Sequence, residues 1–103
     1  MNKLLDITEK QMLRGYVLKI CEFSEPLGAG IEVVESALKK EGFYYERKDI
    51  EDACNYLQGK GFIKLENIKN SILNIDRTIA KITSLGIDLL EGTTQTEGVI
   101  LNG

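Results

Sequence analysis

The 103-residue chain contains no histidine and no tryptophan, a single proline and two cysteines. Without histidine it lacks the commonest general base and metal ligand, and two isolated thiols cannot build a structural zinc site. There is no Walker-type glycine loop, no G-x-G-x-x-G after a strand and no G-x-S-x-G elbow. The sixteen carboxylates mostly fall at spacings that place them on the solvent side of helices. These absences predict a protein that is not an enzyme and uses no cofactor and no metal. No stretch approaches the ~18 consecutive apolar residues that a membrane span requires. The opening MNKLLDITEK carries an apolar stretch too short for a signal peptide, so a cytoplasmic protein without a membrane partner is expected. In that setting Cys21 and Cys54, both at interior helical positions, read as buried free thiols.

The composition is ordinary for a globular domain, with 43% apolar and 28% charged residues, and the length suits one hydrophobic core. The period of the apolar residues then divides the chain. Leu13, Tyr16, Val17, Ile20 and Cys21 lie at i, i+3, i+4, i+7 and i+8, which predicts a helix from about 8 to 23 with one buried stripe. Thr8 and Gln11 fit a capping box at its start. The stretch SEPLGAG interrupts it, because Pro26 cannot continue a helix and Gly28 and Gly30 favour a turn. A second helix over 31–41 buries Ile31, Val34, Ala37 and Leu38, with Gly42 as a left-handed cap and Phe43 folding back on the core.

A third helix over 47–58 turns Ile50, Ala53, Cys54 and Leu57 inward and leaves Arg47, Lys48, Glu51, Asp52 and Asn55 outside. FIKLENI alternates apolar and polar residues, and IDRTIAKI is dense in β-branched ones, so residues 62–82 predict a hairpin around KNSILN. Thr83 caps a short last helix in which Leu85, Leu89 and Leu90 face inward. The fold class is α+β, mainly α. Three helices, a β-hairpin wing and a short C-terminal helix in that order make a winged helix-turn-helix over 1–92, with 93–103 as a polar C-terminal tail.

YLQGKGFIKL resembles the junction at which the recognition helix of many winged-helix regulators enters the wing. ITSLGIDLL is similar to their L-T-x-x-G-x-x-L-L element. More narrowly, LRGYVLKIC, GIEVVESALKKEGF, DIEDACNYLQGKGFIKLEN and ITSLGIDLLEGTTQTEGV resemble successive blocks of the winged-helix proteins of Mu-like phages and prophages. Those proteins are often described as similar to arsenical-resistance regulators. The wing is several residues longer here. The resemblance implies a DNA-binding transcriptional regulator of phage or prophage type.

The charges must carry that reading, since phosphate neutralisation supplies most of the free energy of DNA binding. Over residues 1–83 thirteen basic side chains face thirteen acidic ones. On the third helix Arg47 and Lys48 are candidates for phosphates and Asn55 for a base edge. Glu51 and Asp52 lie between them, and a solvated face is the competing reading. The hairpin is richer in cations: Lys60, Lys64, Lys69, Arg77 and Lys81 against Glu66 and Asp76. Lys64, Lys69, Asn70 and Arg77 are the candidate contacts there, with Asn74 also at the tip, although lysines on a hairpin also discourage edge-to-edge pairing. The partners expected are double-stranded DNA and a second copy of the chain, paired through the first helix across a two-fold axis. The alternative is a protein-interaction or assembly adaptor that ignores DNA, using apolar area at Tyr44, Tyr45 and the VILNG segment.

Overall fold

The computed structural model describes residues 5–102; the first four positions of the expected domain and the last of the expected tail lie outside them. The chain runs α1 (Ile7–Phe23), β1 (Ala29–Gly30), α2 (Ile31–Lys40), α3 (Arg47–Gly59), β2 (Ile63–Asn70), β3 (Ile75–Ile82) and α4 (Ser84–Glu91). This is the winged-helix plan, mainly helical, with one addition. The wing strands pair antiparallel, Ile63 opposite Ile82 through Asn70 opposite Ile75, and β1 joins the far side of β3 to give the order β1-β3-β2. The turn expected from Gly28 and Gly30 therefore contains a two-residue strand, Ala29 opposite Ala80 and Gly30 opposite Ile79.

The core follows from the helical stripes. Leu13, Val17, Leu18 and Cys21 of α1 meet Ile31, Val34 and Leu38 of α2 and Ile50, Ala53, Cys54 and Leu57 of α3. Phe62, Ile63, Ala80, Ile82 and Leu89 close it from the sheet side. Tyr16 and Ile20, expected in the buried stripe, are only partly covered, as is Ala37. Both cysteines are buried and free. Burial pushes each thiol up to about 12, with Cys54 adding to the effect on Cys21 and Glu51 to that on Cys54.

The helix ends show which local signals governed. α1 begins earlier than the Thr8–Gln11 box suggests, because the Asp6 carboxylate accepts from the Glu9 N–H at 2.7 Å and caps the helix itself. α2 ends as expected, with Gly42 at φ +87° and the Phe43 N–H donating to the Leu38 carbonyl. The Phe43 ring then rests on Tyr16 with centroids 4.8 Å apart, but it stays 37% exposed at the margin rather than folding back on the core as expected. Thr83 caps α4 by accepting from the Gly86 N–H and donating to the Gly61 carbonyl. Gly86 sits so close to β2 that a Cβ would overlap the Phe62 carbonyl oxygen. Leu85 corrects the expectation for this helix. Gly86 occupies the innermost position, so its neighbour is rotated outward and remains 41% exposed.

Residues 97–101 lie along α1. Gln11 and Arg14 donate to the Glu97 and Gly98 carbonyls, the Ile100 N–H donates to the Gln11 carbonyl, and Lys19 donates to the Leu101 carbonyl. The Arg14 guanidinium also stacks 3.6 Å from the Tyr56 ring centroid. Val99 is buried in the chain's own core, and Leu101 packs against it. Of the apolar residues of VILNG, Val99 is thus buried and Ile100 and Leu101 are partly covered within the chain itself, which leaves less free surface than expected.

Candidate nucleic-acid interface

The helical repeat of α3 places Arg47, Glu51, Asn55 and Gln58 along one side. That side faces α2 at its start and the wing at its end. Arg47 reaches Glu35 of α2 in a 2.6 Å ion pair, and Gln58 accepts from the Leu65 N–H at 2.8 Å. The second contact is structurally useful: β2 is an edge strand of the sheet, and Gln58 satisfies one of its outward donors while tying the wing to α3. Between these two contacts Glu51, Asn55, Leu65 and Thr78 line a groove floored by Ile31 and Cys54.

The cations on α3 are neutralised locally. The hydrogen bond from Arg47 holds the Glu35 carboxyl below the usual carboxylate range, and the same bond raises Arg47. Lys48, one turn before Asp52, pairs with it at 3.1 Å on an exposed surface. Asn55 is exposed and carries no charge.

On the wing the alternation of side chains divides the candidates. Lys69 lies opposite Asp76, on the face that continues from Ile63 and Leu65 toward α3; Arg77, opposite Ile68, and Lys64, opposite Lys81, lie on the other face. Lys81 pairs with Glu66 at 3.7 Å. Among the described residues no ion pair is formed by Lys64, Lys69 or Arg77. Asp76 instead accepts from the Asn67 amide at 3.2 Å. Asn70 has a structural task, since its Oδ1 accepts from the Leu73 N–H at 3.0 Å and shapes the tip.

The structure therefore brings Asn55 and Lys69 to the side of the wing that faces α3, holds Arg47 and Lys48 in ion pairs at the start of α3, and sets Lys64 and Arg77 on the outer face. Sequence reasoning missed the Glu35 partner of Arg47, which comes from a different helix, and the tip residues Ile72 and Leu73, 92% and 66% exposed. The apolar pair was visible in KNSILN, at the apex of a predicted hairpin, and was the signal to read.

Neither family models nor curated proteins give a match to this sequence. Among solved structures, the chain is similar to a PadR-like transcription factor from Bacteroides fragilis, with a TM-score of 0.72 and 15% identity over 84% of this chain and 80% of that one. At that identity the likeness establishes the winged-helix fold. No helix among the described residues is long and apolar enough to cross a membrane.

Proposed function

We propose that this protein is a DNA-binding winged-helix transcriptional regulator of phage or prophage type, which engages double-stranded DNA through the wing and the adjoining side of α3. The observation that carries this reading is the set of cations on a projecting hairpin, Lys64, Lys69 and Arg77, with which no carboxylate among the described residues forms an ion pair. Such cations release counterions when they meet phosphates. The similar solved structure is named as a transcription factor, and the four sequence blocks that resemble the Mu-like phage proteins point the same way. A homodimer would present two wings to a pseudo-palindromic site. The adaptor reading retains the neutralised cations of α3 and the exposed Tyr44, 79% open to solvent; it requires no affinity for DNA.

A salt series separates the two. Titration of a mixed-sequence duplex is expected to give binding that weakens steeply with salt. The Lys69→Glu, Arg77→Glu double variant is expected to reduce the slope of log K against log salt by about 1.8, or ~0.9 for each phosphate that is no longer neutralised. Absence of binding at low salt would overturn the DNA-binding reading and support the adaptor instead.

A further inference from the structure

The wing ends in an apolar point. Ser71, Ile72, Leu73 and Asn74 connect β2 to β3; Ile72 is almost without cover and Leu73 is largely exposed. The turn that presents them is tied down: Asn70 accepts from the Leu73 N–H, the Asn74 N–H donates to the Ser71 carbonyl at 3.4 Å, and Asn74 adopts φ +53°. An asparagine tolerates that left-handed conformation better than most residues. Beyond Leu65, the last residue of β2 packed on the core, the strand continues through five more positions, which carry the tip about 16 Å outward at ~3.3 Å per residue.

Behind this point the two unpaired cations nearest the tip lie on opposite faces of the ribbon, Lys69 on one and Arg77 on the other. A flat anionic surface would be met by only one of them. A groove with phosphates along both walls would be met by both. The minor groove of DNA has that form, about 6 Å wide and 7.5 Å deep, and apolar side chains that enter it act as wedges between base steps. We infer that Ile72 and Leu73 are a wedge that enters the minor groove and partly unstacks one base step, while Lys69 and Arg77 hold the phosphates on either side. The step favoured is a flexible pyrimidine–purine step, which costs least to open. The inference rests on the DNA-binding reading and adds a source of sequence preference that needs no base hydrogen bond.

The test uses the full chain and two short duplexes that differ only in a central TA or AA step, each with 2-aminopurine at that step. The expected result at low salt is a rise in 2-aminopurine fluorescence on the TA duplex, tighter binding to TA than to AA, and bending in a fluorescence-transfer assay. The Ile72→Ser, Leu73→Ser variant is expected to keep its melting temperature and its salt slope, and to lose the fluorescence rise, the bending and the TA preference together. Binding by the unaltered chain without unstacking overturns the wedge and leaves the DNA-binding reading standing. Absence of binding to both duplexes overturns both. Sedimentation with anionic lipid vesicles, abolished by the same serine variant and accompanied by no unstacking of either duplex, would assign the tip to a membrane surface and overturn the wedge.

Discussion

The helix α3 carries two cations, Arg47 and Lys48, and the strands of the wing carry four, Lys64, Lys69, Arg77 and Lys81, and the two regions treat them differently. On α3 both basic side chains are held by carboxylates, Arg47 by Glu35 across the α2–α3 packing and Lys48 by Asp52 one turn on. On the wing Lys64, Lys69 and Arg77 form no ion pair among the described residues. A cation already paired contributes less to phosphate binding, because its gain at the phosphate is offset by the bond it leaves. On the DNA-binding reading proposed above, the difference would place the electrostatic part of binding on the wing and leave α3 to orient it.

The largest expected effect is at the wing. Reversing both Lys69 and Arg77 to glutamate should weaken binding to a mixed duplex on the order of a hundredfold at low salt, whereas Arg47→Glu should cost far less. Equal losses from the two regions, measured by fluorescence anisotropy, would erase the contrast. The next effect has the opposite sign. Glu35→Gln frees Arg47 and should strengthen binding, with a slope of log K against log salt steeper by about 0.9; an unchanged slope would show that Arg47 faces away from DNA. The smallest change belongs to Asp52→Asn, for which a twofold gain or less is expected, because exposed pairs one turn apart are worth only about 0.3–0.5 kcal/mol.

The pH dependence sharpens the same comparison. The folded Glu35 carboxyl titrates below its usual range, so its bond to Arg47 is present above that range and is lost only as pH falls through the lowered value. With no histidine in the chain, DNA affinity at fixed ionic strength should therefore be level from about pH 5.5 to 8. A rise in affinity within that window would mean that Arg47 is released more easily than its 2.6 Å contact implies.

Much of the architecture was legible because its signals are periodic or local. The stripes of α1 and α3, the alternation in FIKLENI and the Thr83–Gly86 cap each depend on residues within a few positions of one another. What stayed hidden depends on distant partners. β1 has two residues, Ala29 and Gly30, with no β-rich pattern, and becomes a strand only because β3 offers its free edge. Val99 opens a short apolar run after TTQTEG, and of that run Val99 alone is buried, beside backbone that Gln11 and Arg14 fix. The candidate site divides in the same way. Its charges could be counted from the sequence, but the Arg47–Glu35 pair spans two helices, and the separation of Lys69 from Arg77 depends on strand register.

The segment along α1 also bears on self-association. Residues 97–101 occupy the strip that includes Gln11, Arg14 and Lys19, and Gly15 faces the Ile100 carbonyl so closely that a Cβ would overlap it. A second copy seeking that strip would compete with a tethered occupant whose effective concentration is on the order of millimolar. At micromolar protein such a contest favours the intramolecular ligand, so any two-fold contact through α1 would have to form on another side of the helix.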